Sequence, residues 1–267
     1  MSALTAAPVA ESPLARRNPT MKLALLVLVS VVAVFVLDPL TPSVLYLLGL
    51  AAVVTTVRPP ARTLALAHVP FAAFALGVFI VNALARPGEI LWQAGPLRIT
   101  VEGLEIGGAL AARTLLIGIL AIGFLLSTDG VALMTSLHQN ARLGARVTYA
   151  ILAGYRMLQE MPREWTTIRQ AHTVRADPRD GGGPPRGPRH LGGVIFTLLV
   201  VSVRKGERMA QALESRGLGL EPRTTWRPVR VTGADWAMAG AVAAVVALVI
   251  GASAWLGYLE GPSALFG

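Results

Sequence analysis

Cysteine is absent from the 267-residue chain, which excludes disulfides, thiolate metal sites and cysteine nucleophiles. Charge is scarce. Only 15% of residues are charged against 54% apolar, and the mean hydropathy is +0.58. That balance excludes an ordinary soluble domain and predicts a polytopic membrane protein embedded in a lipid bilayer. Lysine is confined to Lys22 and Lys205, and neither stands in a Gly-x-x-x-x-Gly-Lys-Ser/Thr arrangement. With no loop to cradle phosphates, the chain is not expected to hydrolyse ATP. Neither a Gly-x-Ser-x-Gly elbow nor a His-Glu-x-x-His pair occurs. His68, His138, His172 and His190 lack the spacing of a ligand set, so no metal site is expected. Aromatics are sparse and accompany no recognition motif, which argues against nucleic acid as a partner.

The charge that is present is concentrated. Residues 142–230 hold 16 of the 24 Lys+Arg and 7 of the 15 Asp+Glu, so the net charge of +9 lies in this segment. Basic segments beside membrane spans stay on the cytoplasmic side. The segment is therefore expected in the cytoplasm, with attraction to anionic headgroups as the plainest consequence.

In chain order, residues 1–20 read as a cytoplasmic tail and 21–127 as four spans. Residues 128–230 read as a cytoplasmic helical domain, and 231–267 carry a last span. Arg16, Arg17 and Lys22 precede the first apolar run, Leu23–Leu37, and no small-residue cleavage site ends it at Asp38-Pro39. Leu40–Val57 follows, then Leu64–Ala85 with Pro70 as an expected kink and His68 and Asn82 inside it. A lone polar side chain on a membrane helix most often makes an interhelical hydrogen bond. Arg86–Ile99 is expected as an outside loop, since Arg86-Pro87-Gly88 and Ala94-Gly95-Pro96 are turn signals.

A long helix runs from near Thr100 to Leu126, with Gly103, Gly107 and Ala111 spaced to let another helix approach. Arg113 falls in its middle, where a charge needs a partner. Asp38, Glu102 and Glu105 are the candidates, and a structural ion pair is expected ahead of a substrate contact. Residues 128–190 turn amphipathic and charged, and 177–189 read as a Pro/Gly/Arg loop. Leu191–Val203 is too short for a span and reads as a buried or partly embedded helix. Ala234–Leu259 closes the count at five spans, with the N-terminus inside and the C-terminus outside.

One pattern is written twice. Gln170-Ala171-His172-Thr173-Val174-Arg175-Ala176 recurs 41 residues later as Gln211-Ala212-Leu213-Glu214-Ser215-Arg216-Gly217. The first copy stops before Asp177-Pro178, where proline ends a helix. The second stops at Gly217 and Gly219, where glycine permits the left-handed closure. Each helix then presents an arginine at its C-terminal tip, favourable against the dipole by ~0.3–1 kcal/mol when exposed. A guanidinium there also offers a planar fork to a carboxylate or carbonyl of another protein. Ala171 and Ala212 let that surface come close. Two equivalent tips suit a partner with two equivalent grooves.

These residues resemble the transmembrane T component of energy-coupling factor transporters, the related cobalt and thiamine-precursor T proteins included. The matching stretches are Ser12-Pro13-Leu14, Asn18-Pro19-Thr20-Met21-Lys22, Ile99–Gly103, Arg113-Thr114-Leu115 and Leu143-Gly144. Most specific are Ile168–Ala176 and Arg208–Gly217. The resemblance implies an all-α integral membrane protein of about five spans, plus a helical coupling domain with two arginine-tipped helices. It implies that Val174-Arg175-Ala176 and Ser215-Arg216-Gly217 dock two ATP-binding cassette ATPase subunits, with Gln170, Ala171, Gln211, Ala212 and Glu214 in support. A separate substrate-binding membrane S component would be the third partner. ATP and magnesium would sit on the ATPases, with no cofactor on this chain, in the plasma membrane of a prokaryote. Val174 and Ala176 depart from the family's Ala-Arg-Gly at the first tip. The alternative is a substrate-translocating permease subunit of a conventional importer, motivated by Arg113 and His68. A membrane transferase using Arg113 and Glu102 finds no catalytic constellation.

Overall fold

The computed structural model describes residues 12–94, 97–175, 187–220 and 228–258. Eight helices and one hairpin make up the described chain. Helix α1 is Pro19–Val34 and α2 is Leu40–Thr56. Helix α3 is Ala61–Ala85, with Pro70 inside it. Helix α4 is Val101–Ser127, α5 is Gly130–Asn140 and α6 is Ala145–Val174. Helix α7 is Pro188–Ser215 and α8 is Gly233–Trp255. Side chains fix several starts by accepting from first-turn N–H groups that lack helical partners. Asn18 Oδ1 accepts from Thr20 N at 3.0 Å, Asp38 Oδ2 from Thr41 N at 2.7 Å and Thr100 Oγ1 from Gly103 N at 3.1 Å. Thr232 and Asp235 form a reciprocal capping box on α8.

The first helix begins four residues earlier than its apolar run, because Asn18-Pro19 supplies a cap and a proline that suits the first helical turn. The segment expected as a plain outside loop is instead an antiparallel hairpin. Strands β1 (Ile90–Ala94) and β2 (Leu97–Thr100) pair Trp92 with Ile99, and a bulge lies between Ile90 and Trp92. β-branched and aromatic residues on both sides of a turn signal favour that outcome.

The chain forms two compact units, residues 1–133 with 229–267, and residues 134–228. The first unit is built around α4, which packs on α3, α2 and α1. Ala109, Leu116 and Ile119 of α4 are buried in it. The small residues expected to admit a neighbour do so against α3. A methyl group at Gly103 would lie 2.8 Å from the Asn82 carbonyl oxygen, and one at Gly107 would lie 3.1 Å from that of Phe79. Val29, Ala33, Leu45, Leu116 and Val249 join α1, α2, α4 and α8 in a second contact layer.

Among the described residues three helices are long and apolar enough to cross a membrane: α3 with 25 residues, α4 with 27 and α8 with 23. Helices α1 and α2 are as apolar but shorter, at 16 and 17 residues. Large apolar side chains such as Leu66, Val69, Phe74, Leu76 and Val81 stand exposed along α3, a surface that suits lipid. This is an all-α, multi-pass membrane protein.

Candidate functional site

The second unit pairs α6 with α7, and the partners along them fix their relative direction. Arg146 lies against Gly219, Met161 against Ser202 and His172 against Gly193 and Thr197. Positions rising on one helix meet positions falling on the other, so the pair is antiparallel. Two of the contacts have a special spacing. Met161 Sδ accepts from Ser202 Oγ at 3.8 Å, and Lys205 pairs with Glu164. Each joins residues 41 apart, the same offset that separates the two copies of the arginine pattern. An approximate twofold relation therefore exchanges the two helices, with its axis passing between these contacts. Arg175 and Arg216 each lie 14 residues beyond Met161 and Ser202 respectively. At ~1.5 Å per residue the tips stand at opposite ends of the pair, each roughly 20 Å from the axis.

Lys205 also bonds Glu160 at 3.4 Å, so one ammonium bridges two carboxylates a helical turn apart on α6. The bond to Glu164 and the charges of both glutamates hold its pKa above the ordinary 10.5, against a smaller desolvation effect. Among the described residues these are the ion pairs, and they lie near the axis rather than at the tips.

Both arginines occupy the residue that closes a helix. Arg175 follows Val174 with φ −89° and ψ −5°, and Arg216 follows Ser215 with φ −88° and ψ 11°. Their guanidinium groups, like Gln170, Ala171, Gln211, Ala212 and Glu214, are exposed. Val174 is 86% exposed, an apolar side chain left in the open beside the first arginine. At the second tip Gly217 takes φ +79°. Its N–H bonds the Glu214 carbonyl at 2.9 Å, and Leu218 N–H bonds that of Leu213 at 3.0 Å. This paired closure uses glycine's freedom at positive φ and turns the chain sharply away behind Arg216. At the first tip, Ala176 lies outside the described residues, as does most of the 177–189 segment.

The sequence profile of the cobalt transport protein family, CbiQ, matches residues 10–226. The chain belongs to this family. The match spans α1 to α7 and includes both arginine tips. An energy-coupling factor transporter transmembrane protein, EcfT, of Heliobacterium modesticaldum is 29% identical over 251 residues, covering 90% of this chain and 92% of that protein. The EcfT of Thermanaerovibrio acidaminovorans is 27% identical over 254 residues, covering 89% and 91%. A protein of Bifidobacterium longum named as an ABC transporter ATP-binding protein is 25% identical over 201 residues, 72% of this chain but 26% of its own length. The resemblance to T components carried by the arginine motifs is thus matched along most of the chain. This CbiQ-family protein is a membrane transport subunit.

The polar groups inside its membrane unit serve the packing. Among the described residues Arg113 meets no carboxylate, contrary to expectation. Its guanidinium donates to the Val36 carbonyl at 2.9 Å and the Val34 carbonyl at 3.2 Å, at the C-terminal end of α1. Val34 is the last residue of α1 and Val36 lies two beyond it, so neither carbonyl has an intrahelical donor and an arginine satisfies both without a counter-charge. His68 Nε2 lies 3.2 Å from Tyr46 Oη, an interhelical hydrogen bond between α3 and α2. Asn82 donates to Val78 O of its own helix. The apolar stretch Leu191–Val203 is also less enclosed than its composition suggests. Val194 is buried, while Leu191, Ile195, Phe196, Leu199 and Val203 are exposed.

Sequence reading missed a buried polar cluster where α1, α4 and α8 meet. Lys22 Nζ donates to Ser127 O at 2.8 Å, and Asp235 Oδ1 accepts from Asn18 N at 2.9 Å. The Asn-Pro-Thr-Met-Lys run was its visible half; Asp235 stands 217 residues from Asn18. Also missed was the edge contact of the His172 and His190 rings, 5.3 Å between centroids, where α6 ends and α7 begins.

Proposed function

We propose that the chain is the energy-coupling scaffold of an energy-coupling factor importer for a vitamin or other micronutrient. Its tips, Val174-Arg175-Ala176 and Ser215-Arg216-Gly217, dock two ATPase subunits, with Gln170, Ala171, Gln211, Ala212 and Glu214 shaping the approach. ATP and magnesium reside on those subunits. The scaffold passes their closing motion to a separate substrate-binding S component in the membrane. The second unit faces the cytoplasm with the N-terminus, and the C-terminus lies outside.

The observation that carries this reading is the twofold relation between α6 and α7. Two like arginines at equal arms on opposite ends fit a motor that is itself a pair, because closed oligomers are most often twofold. The arginines are exposed and unpaired by carboxylates within the described residues, so their donor forks remain for a partner. The ATP-binding protein of Bifidobacterium longum adds support, since a segment like this chain occupies about a quarter of it. Arg113 and His68, which motivated a permease reading, are engaged with Val34, Val36 and Tyr46.

The test is co-purification in detergent with a tagged chain. Arg175→Glu and Arg216→Glu together should release the ATPases and abolish uptake, each single reversal weakening capture. Capture and uptake at wild-type level in the double variant would overturn docking. Uptake by the chain and ATPases alone, without any S component, would favour a permease instead.

A further inference from the structure

A cleft of about 530 Å³ opens in the membrane unit between α1, α2, α4 and α8. Its walls are apolar, with Leu25, Val29, Val53, Leu120, Met238 and Val242 among them. Its polar end is basic, formed by Arg17 and Lys22. That end collects the start of α1, the end of α2 at Thr56, the end of α4 at Phe124 and the start of α8 at Ala234. From there the lining runs seven residues along α1, from Lys22 to Val29, and eight along α8, from Ala234 to Val242. At ~1.5 Å per residue the depth is about 10–12 Å, within the ~15 Å that one leaflet contributes to a ~30 Å hydrocarbon core.

The geometry points to a binding site for an anionic phospholipid, with one acyl chain in the cleft and its phosphate on Arg17 and Lys22. A helix of ~10 Å diameter would need roughly 800 Å³ over the same depth, more than the cleft offers. Donors are free at the basic end. The Arg17 guanidinium makes no hydrogen bond or ion pair among the described residues. Lys22 spends its ammonium on Ser127 O at 2.8 Å and Ser127 Oγ at 3.4 Å, leaving one of its three N–H groups. Asp235 is close enough to feel Arg17, but its oxygens are taken by Asn18 N at 2.9 Å, Thr232 N at 2.8 Å and Thr232 Oγ1 at 2.7 Å. Two cations against one carboxylate leave a single positive charge, which a phosphatidylglycerol neutralises and a zwitterionic lipid does not.

The test is native mass spectrometry of the purified full-length chain in detergent, titrated separately with dioleoylphosphatidylglycerol and dioleoylphosphatidylcholine. The anionic lipid should bind about fivefold more tightly, as ~1 kcal/mol per basic residue near an anionic lipid implies. Arg17→Gln should bring the two lipids to parity. Ala241→Phe, which fills the cleft from an exposed position of α8, should weaken both. Arg17→Gln disturbs no side-chain hydrogen bond among the described residues, so it keeps the test open if the bulkier variant fails to fold. Equal binding of the two lipids by the unaltered chain overturns the site, as does a preference that survives Arg17→Gln. A rise in lipid binding on deletion of residues 1–10 would also overturn it, assigning the cleft to the chain's own N-terminal segment.

Discussion

Replacing Gly217 by alanine tests whether the shape of the second tip, and not only its charge, holds the ATPase. At φ +79° an L-residue is disfavoured by about 1–2 kcal/mol. The new methyl would also sit 3.2 Å from Leu220 Cδ1, tight enough that the leucine must give way. The chain can relieve the strain by opening the closure, which loses the 2.9 Å bond to Glu214 O and the 3.0 Å bond to Leu213 O and lets Arg216 swing. If docking requires the closed tip, that cost is added to binding, and affinity for the ATPase pair should fall about 5–30-fold. Biolayer interferometry of the full chain in nanodiscs against purified ATPases measures it. Gly257 provides a matched control. It has φ +74° at the end of α8, its N–H and that of Tyr258 bond the Ala254 and Ser253 carbonyls, and nothing lies within 4 Å of its missing methyl. Gly257→Ala carries the same backbone strain away from the tip and should leave affinity unchanged. Undiminished binding by Gly217→Ala, or an equal loss in both variants, refutes the reasoning.

Four further outcomes follow from the contacts described. Arg113→Met leaves the Val34 and Val36 carbonyls without their donor and should cost about 1–3 kcal/mol, read as a lowered melting temperature in detergent. Tyr46→Phe removes one interhelical hydrogen bond and should cost only about 0.6 kcal/mol with transport intact, whereas loss of uptake would return His68 to the functional residues. Gly103→Ala forces a methyl against the Asn82 carbonyl oxygen and should destabilise by about 1–3 kcal/mol, while Gly77→Ala meets open space and should not. Lys205→Met should speed hydrogen exchange of α6 around Glu160 and Glu164 at neutral pH. Because the folded pKa of Lys205 is raised, its contribution is complete below 10.5 and is lost only as pH rises through the folded value.

Much of the membrane unit was legible because a bilayer leaves few alternatives: a long apolar run such as the one that forms α8, Gly233–Trp255, must be a helix. The small-residue ladder of α4 was legible for the same reason, since Gly103 and Gly107 have no use in lipid except to admit a neighbour. The partner of Arg113 was not, because a sequence displays carboxylates and hides unsatisfied carbonyls, and these become visible only once α1 ends at Val34. The hairpin at Ile90–Thr100 escaped because its strands are five and four residues long, too short for an alternating pattern to stand out beside two turn signals. The Asn18–Asp235 contact joins residues 217 apart in sequence, which local periodicity cannot see. At the arginine tips the repeat and the glycines were plain in the sequence. The antiparallel pairing that turns the repeat into a twofold object was not, since it depends on Met161 meeting Ser202.

That pairing makes residue number a ruler. An insertion of one residue between Met161 and Arg175 would lengthen one arm by ~1.5 Å and swing its guanidinium by ~100° about the helix, leaving the other arm as it was. The stretch that joins α6 to α7 lies beyond the first tip and enters neither arm, so its length is at liberty to drift. Lineages of this chain should therefore vary in the Gly-Pro-Arg connection and keep count, to the residue, on either side of it.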